Sequence, residues 1–433
     1  MSIDLEALYI DLHGNPELSF QETRTAGIAA AHLRELGLEV HEGVGRTGVV
    51  GVLVNGPSHP PADARSAEAT DSRARGPVVW VRADMDALPV TEETGLPYAS
   101  TATGVDPDGE TVGVMHACGH DMHVTAMIGA VERLVAERDQ WSGTLVVVIQ
   151  PAEEYGEGAR AMLDDGALDR FPRPDVVLGQ HVGPLPAGVI GVRPGPQMSA
   201  SDGLKVVLHG RGGHGSRPES TIDPIVMAAS TIMRLQTVVS REVAAGAPVV
   251  VTVGSVHAGT KNNIIPPDAT LQLSLCYPDD QQRVKVLEKV ERVIRAEAAA
   301  SGAEREPDIT TLHTLPATIN DADATARTVA AFRSAFGEQA VMDPGLITGS
   351  EDVSWFSRDA GAPLVFWFWG GVDPQLFAAA SAKGTLDRDI PTNHSPFFAP
   401  VIHPTIEVGV SAMATAAREF LDGRAPSEGD SRF

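Results

Sequence analysis

At 433 residues, 43% hydrophobic and 21% charged, the chain has the makeup of a soluble globular enzyme and more length than one ordinary core uses, so two domains are expected. A formal charge of −24 argues against nucleic acid or an anionic membrane as partner, because both reward basic patches. No apolar run approaches the roughly 20 residues of a membrane span.

Met1-Ser-Ile-Asp-Leu-Glu6 has neither a basic nor an apolar leader region, so no signal peptide is expected. Ser19, with Glu22 three residues on, reads as a capping box opening a helix that stops near Gly37. Apolar runs at 48–54, 77–83, 144–149 and 175–179 predict buried parallel strands, with helices over 122–137 and 158–168 between them. The Pro-, Ala- and charge-rich stretch 57–76 and the tail from about Arg424 read as solvated segments. The pattern then changes: strand 204–209, helix 222–240, strands 248–256 and 269–275, helix 281–300, strand 307–312. That β-α-β-β-α-β order is the split pattern of a ferredoxin-like unit. From about 320 helix and strand alternate again, with 364–369 a very apolar strand and Trp355, Trp367 and Trp369 expected in the core. The expected fold is therefore α/β, a discontinuous domain over 1–199 and 313–433 with a ferredoxin-like domain inserted at 200–312.

Open α/β sheets bind ligands at the carboxyl ends of their strands. Three predicted strands end there in candidate ligands: 77–83 before Asp84-Met85-Asp86, 144–149 before Gln150-Pro-Ala-Glu153-Glu154, and 175–179 before Gln180-His181. The densest signal is Met115-His-Ala-Cys-Gly-His-Asp-Met-His123, three histidines, a cysteine and an aspartate just before a helix. Cys118 and His120, separated by a glycine, can reach one point from a tight turn, and zinc takes such donors readily. A buried structural cysteine or a Cys-His nucleophile explains the neighbouring carboxylates less well. Of the Glu153-Glu154 pair, one side chain can ligate a metal while the other serves as general base and acid; an exposed acidic turn is the plain alternative. Gly210-Arg-Gly-Gly-His-Gly-Ser216 lacks a P-loop lysine and reads as a loop carrying His214 toward a substrate. His394, in Pro391-Thr-Asn-His-Ser-Pro396, says little alone. The two cysteines, Cys118 and Cys276, are too few and too distant for a disulfide framework, which fits the cytoplasm.

Taken together, these stretches resemble the co-catalytic metallopeptidase family of aminoacylases and carboxypeptidase-G-like enzymes, in particular its amidohydrolase branch of hippurate and indoleacetyl-amino-acid hydrolases. The matching motifs run in order through the chain: His13-Gly-Asn-Pro-Glu-Leu-Ser-Phe20, Arg82-Ala-Asp-Met-Asp-Ala-Leu-Pro89, His116 to His123, Gln150 to Glu154, His181-Val-Gly-Pro184, Gly210 to Ser216, Asn263-Ile-Ile-Pro266, Gly349-Ser-Glu-Asp352 and His394-Ser-Pro396. The resemblance implies that Cys118, His120, Glu154, His181 and His394 bind two divalent ions. It also implies that Glu153 is the general acid/base, that Asp86 orients a ligand, and that His214 and Asn263 hold the substrate and polarise its carbonyl. The inserted domain would then be a lid and a homodimer contact. Zinc suits the thiolate first, with manganese, cobalt or nickel as the other candidates. The implied reaction is hydrolysis of the amide of a small N-acyl amino acid, by hydroxide held at the ions.

Two positions depart from the family pattern. Cys276 stands where an arginine is usual on the strand after Asn263-Ile-Ile-Pro266, which puts recognition of a free substrate carboxylate in question. Ser216-Arg217-Pro218 stands where a second histidine is common. A dipeptidase or carboxypeptidase with the same metal chemistry is the alternative function. A catalytically silent metal-binding relative is disfavoured by the presence of Glu153.

Overall fold

The computed structural model describes residues 3–56 and 76–421. The expected solvated stretch at 57–76, save Gly76, and the tail from Arg424 lie outside the described residues. The chain forms two compact units: one comprises residues up to Gln197, Ile319–Gly345 and the chain from Asp352 on, and the other Met198–Thr318 and Leu346–Glu351.

The first unit is built on an eight-stranded sheet in the order Glu39–Val44, Gly48–Asn55, Gly143–Gln150, Val78–Asp84, Val176–Pro186, Leu364–Val372, Ile190–Gly191, Val341–Met342. Gly143–Gln150, Val78–Asp84, Val176–Pro186 and Leu364–Val372 run parallel to one another. Gly143–Gln150, Val78–Asp84 and Leu364–Val372 are buried at every residue, the reason their sequences read as unbroken apolar runs. The expectation of a parallel strand at 48–54 needs correction, since Gly48–Asn55 pairs antiparallel with Gly143–Gln150. On its other side Gly48–Asn55 pairs antiparallel with the unforeseen strand Glu39–Val44, across a three-residue link, Gly45 to Thr47, short enough to make a hairpin. Val79, Val81 and Ala83 enter the main core with helices His120–Ala136 and Ile402–Leu421. Trp80, of opposite parity, packs on Phe356 instead. Trp367 and Trp369 are fully buried, whereas Trp355 is half-buried with the Arg160 guanidinium over its ring.

The capping box is also corrected. Helix Thr23–Glu35 carries no side-chain cap at its start. The Ser19 hydroxyl donates to Asp86 at 2.6 Å, and Glu22 is committed elsewhere.

In the second unit the strands order as Val250–His257, Asp268–Tyr277, Ala200–His209, Asp308–Leu315, all antiparallel between neighbours. Each connecting helix, Pro224–Thr237 or Asp280–Ala300, bridges two strands that have a strand of the other pair between them, so the unit is two interlocked β-α-β elements. Alternate residues of Asp268–Tyr277, among them Ala269, Leu271, Leu273 and Leu275, point into the core under these helices. Asp223 caps the first helix and Asp279 the second through their side chains. Among the described residues no helix is long and apolar enough to cross a membrane.

Candidate metal centre

The carboxyl ends of the parallel strands gather the candidate residues. Asp84 closes its strand and Asp86 follows two residues on; Gln150 closes the next, and Pro151-Ala152 leads the chain into Glu153 and Glu154. His181 lies inside its strand rather than after it, because Leu364–Val372 extends the pairing past this point and holds Phe368 opposite His181. Cys118 precedes helix His120–Ala136, whose first residue is His120. Gly119 between them has φ +80°, and a Cβ there would come within 2.5 Å of Val182 Cγ1. Only glycine lets both donors turn inward at that spacing. His394 arrives from a turn before the last helix, with its amide donating to Ala117 O at 2.8 Å.

Ligand bonds of about 2.1–2.3 Å at the tetrahedral angle put neighbouring donor atoms roughly 3.4–3.8 Å apart. Cys118 Sγ and His181 Nε2 lie 3.5 Å apart, Glu154 Oε2 and His394 Nε2 3.3 Å, and Glu154 Oε1 and His120 Nε2 3.8 Å. The five expected ligands fall into two of the donor triads found among the described residues, Cys118-His120-His181 and Cys118-Glu154-His394, with Cys118 in both. The ring hydrogens are aimed to match. His120 Nδ1 faces Asp86 Oδ1 at 3.3 Å and His181 Nδ1 faces the Val182 carbonyl at 2.7 Å, which leaves each Nε2 lone pair pointing at the common space. His120 Nε2 and Glu154 Oε1 are buried with no hydrogen-bond partner. Unpartnered buried acceptors are costly, and a cation between them removes the cost.

Electrostatics point the same way. Burial lifts the Glu154 carboxyl to about 8, with a further push from Asp86 and against the pull of His120. Burial, then Glu154 and Glu153, push the Cys118 thiol up. Burial alone would lower His120, but Asp84 and Asp86 outweigh it and hold the imidazole at about 10. A pocket that must take up protons to offset its own carboxylates and thiol is one that divalent cations suit.

Asp86, expected to orient a ligand, and several residues with no expected role hold this arrangement. Asp86 accepts the Glu153 amide on one oxygen and the Glu154 amide on the other, both at 3.1 Å. Asp84 meets His123 Nδ1, and His123 Nε2 accepts the Val182 amide at 2.9 Å, so the proton sits on Nδ1. Asn393 donates to the carbonyls of Cys118 and Val182 at 3.2 Å and lies 3.7 Å from Cys118 Sγ. Beneath them Arg82, 1% exposed, donates to Asp84 at 2.6 Å, Gln150 at 2.8 Å and Asp352 at 3.0 Å. Arg82, Asp84, Gln150 and Asp352 all stand in the quoted motifs; Arg82 and Asp84 are neighbours on one face of their strand, but the pairings with Gln150 and Asp352 are long-range and have no local signature. Glu153, buried, has Oε2 4.0 Å from His120 Nε2.

His214 and Asn263 belong to the second unit. Gly213–His214 pairs antiparallel with Ile264–Ile265, so His214 stands on a short ladder rather than a free loop. The Gly215 amide donates to the Asn263 carbonyl at 2.8 Å, and both His214 and Asn263 are exposed. Cys276 is half-buried and faces Ser201 and Val250 across its neighbouring strands.

Comparison with known proteins agrees with the motifs. The model of Peptidase family M20/M25/M40 matches residues 80–393. Thermostable carboxypeptidase 2 of Saccharolobus solfataricus is 34% identical over 386 residues, 88% of this chain and 89% of its own. Hippurate hydrolase of Campylobacter jejuni is 36% identical over 355 residues, 82% and 85% of the two chains. The crystal structure of the YXEP protein of Bacillus subtilis, described as a dinuclear metal binding peptidase from the M20 family, superposes with a TM-score of 0.72 at 29% identity, covering 96% of this chain and 97% of that one. With the family match spanning the strand that ends in Asp84 through to Asn393, and relatives of this identity aligned over most of their length, the chain belongs to Peptidase family M20/M25/M40.

Proposed function

We propose that this chain is a metal-dependent amidohydrolase that cleaves N-acyl amino acids to a carboxylic acid and a free amino acid. The observation that carries the reading is the pair of donor triads meeting at Cys118, one buried throughout and the other running from buried Cys118 through half-buried Glu154 to exposed His394. Cys118, His120, Glu154, His181 and His394 are the residues that would hold two divalent ions. The thiolate favours zinc, with cobalt, nickel or manganese as alternatives. Such ions, when bound, supply Lewis acidity toward the amide carbonyl and toward water.

The chain's own residues supply the proton traffic and the orientation. Glu153 takes a proton from the attacking water and returns it to the departing amine, so the amide C–N bond breaks to a neutral amine. Asp86 keeps His120 in the tautomer whose Nε2 lone pair is free to bind an ion, and through the amides of 153 and 154 keeps both glutamates in place. His214 and Asn263 are assigned to the substrate, as donors to its carbonyl and polar groups. The inserted unit, bounded near residues 200 and 312, is assigned as lid and homodimer contact. Its helix Pro224–Thr237 exposes Ile225, Val226 and Met233 at 46, 64 and 71%, the kind of apolar face a second copy covers. The sparse cysteines support a cytoplasmic setting.

A dipeptidase or carboxypeptidase is the second reading, favoured by the carboxypeptidase relative. The test is release of free amine from N-acetyl and N-benzoyl amino acids, from their C-terminal amides, and from dipeptides, before and after chelator treatment. Chelator-sensitive turnover dominated by N-acyl amino acids is expected. Dominant dipeptide turnover would overturn the substrate assignment, and undiminished activity in an ion-free preparation would overturn the metal assignment. The amide substrates report on Cys276, since a site without arginine there should tolerate a blocked carboxylate.

A further inference from the structure

We propose that Glu22 is a positioning residue whose carboxylate holds the turn 151–154 in the shape that presents Glu153 and Glu154; the role rests on the assignment of those two glutamates above. Among the described residues, four that are not glycine have positive φ: Phe20 at 61°, Arg46 at 82°, Ala152 at 46° and His394 at 71°. L-residues avoid this region, and such strain collects where surrounding structure enforces it for function. Three of the four surround Glu22.

Glu22 is fully buried. Its Oε1 accepts the amides of both Phe20 and Ala152, each at 2.8 Å, and its Oε2 accepts the Thr47 hydroxyl at 2.6 Å. Arg46, next to Thr47 in the hairpin link, places its guanidinium 4.1 Å above the Phe20 ring. One side chain thus ties the segment after Ser19, the hairpin link and the turn. The amides of 152, 153 and 154 go in succession to Glu22, Asp86 Oδ1 and Asp86 Oδ2. Asp86 in turn accepts the Ser19 hydroxyl, so the two carboxylates brace one turn from two sides. The far side of the turn is closed as well. The Ala152 carbonyl accepts the Gly158 amide at 3.1 Å, and a Cβ at Gly158 would lie 1.6 Å from Pro151 O.

Without Glu22 the buried Ala152 amide has no acceptor, and nothing offsets its unfavourable φ. Relaxation at Ala152 turns the peptide that follows and carries Glu153 and Glu154 away from His120. The requirement is for an oxygen at the right reach rather than for charge. Burial and Asp86 already raise the Glu22 carboxyl to about 7, so a neutral isostere keeps the clamp. Gln offers its amide oxygen to the two backbone amides and its NH2 to Thr47 Oγ1. Asp retains charge but falls short by one methylene.

The experiment compares wild type, E22Q, E22D, E22A and E22A/A152G, each checked for native circular dichroism and loaded with cobalt(II). Two readouts are taken: kcat and KM on an N-acyl amino acid, and cobalt affinity from the thiolate-to-cobalt absorption band. E22Q should stay within about threefold of wild type. E22A and E22D should lose about 100-fold in kcat with little change in KM, and bind cobalt about tenfold or more weakly, the scale seen when a supporting residue is removed. E22A/A152G should recover about tenfold of the E22A loss, since glycine accepts positive φ without strain. A residue that merely stabilised the fold would not be rescued by glycine at 152. Folded E22A with wild-type kcat and cobalt affinity would overturn the clamp. So would E22D matching wild type while E22Q loses about 100-fold in kcat; this comparison decides even if E22A does not fold. A wild-type protein lacking the cobalt–thiolate band overturns the metal centre itself, which separates that failure from failure of the clamp.

Discussion

Replacing Arg82 with methionine tests whether the charge layer beneath the metal centre works as a unit. Asp84 and Asp352 are both fully buried, and Arg82 donates to each, at 2.6 and 3.0 Å, as well as to Gln150. Methionine fills most of the arginine stem and removes only the guanidinium, which takes from two buried carboxylates their shared cation while Asp84 still meets His123 and Asp352 still accepts from Gln150 and Ala159. Removing one partner of a buried ion pair costs about 3–5 kcal/mol. The first unit has roughly 300 residues, and at about 2.1 cal/mol/K per residue its unfolding entropy is roughly 0.6 kcal/mol/K, so the expected loss in Tm is about 5–8 °C. The measurement is calorimetry on chelator-treated protein, so that metal affinity does not enter. R82M/D84N/D352N should regain most of the loss, because neutralising the acids removes the stranded charge. An R82M protein that unfolds cooperatively within 1 °C of wild type would refute this account of the layer.

Three further outcomes follow from the same geometry. Glu153→Gln should keep metal content and fold but lose about 10²–10⁴ in kcat, seen by elemental analysis beside steady-state kinetics; near-full activity would remove Glu153 from the proton path. Gly158→Ala, which forces a methyl group into Pro151 O, should lower kcat by more than tenfold at unchanged secondary structure, since it pushes on the turn from the side opposite Glu22. His13 donates to Asp121 at 2.7 Å and meets Glu92 at 3.1 Å, and although burial alone would lower it, these carboxylates raise it to about 10. A raised imidazole contributes its stability fully below its unfolded value of 6.5 and loses it as pH rises through about 10. The unfolding free energy from denaturant titration should therefore fall more steeply between pH 7 and 10 in wild type than in His13→Gln, by about 3 kcal/mol, and parallel curves would contradict the pairing.

Much of the sheet was legible because its central strands are buried on both faces and therefore read as continuous apolar runs. Asp84 and Gln150 mark strand ends for the same reason. His181 was misplaced relative to its strand because Gln180-His-Val-Gly-Pro184 looks like a terminus, and the long partner Leu364–Val372 keeps it paired. Glu39–Val44 was missed: its sequence, EVHEGV, is half polar and has one buried residue. Ser19 and Glu22 show the limit of local patterns most directly. Their three-residue spacing fits a capping box, but their acceptor and donor lie 67 and 130 residues away, at Asp86 and Ala152. His394 carries no signal of its own and was identified only through the family resemblance; its position beside Glu154 is a product of the tertiary fold.

Asn393, which braces Cys118, follows it by 275 residues. At ribosomal rates of about 5–20 residues per second, the interval between emergence of the thiol and of its last supporting neighbour is on the order of tens of seconds. Throughout that window the nascent chain carries Cys118 and the three imidazoles of His116, His120 and His123 without Asn393 and His394. Which ion reaches the enzyme is then set as much by what the surrounding solution offers when synthesis ends as by the geometry of the completed cluster. Protein made in media enriched in different metals should leave the cell with correspondingly different loads.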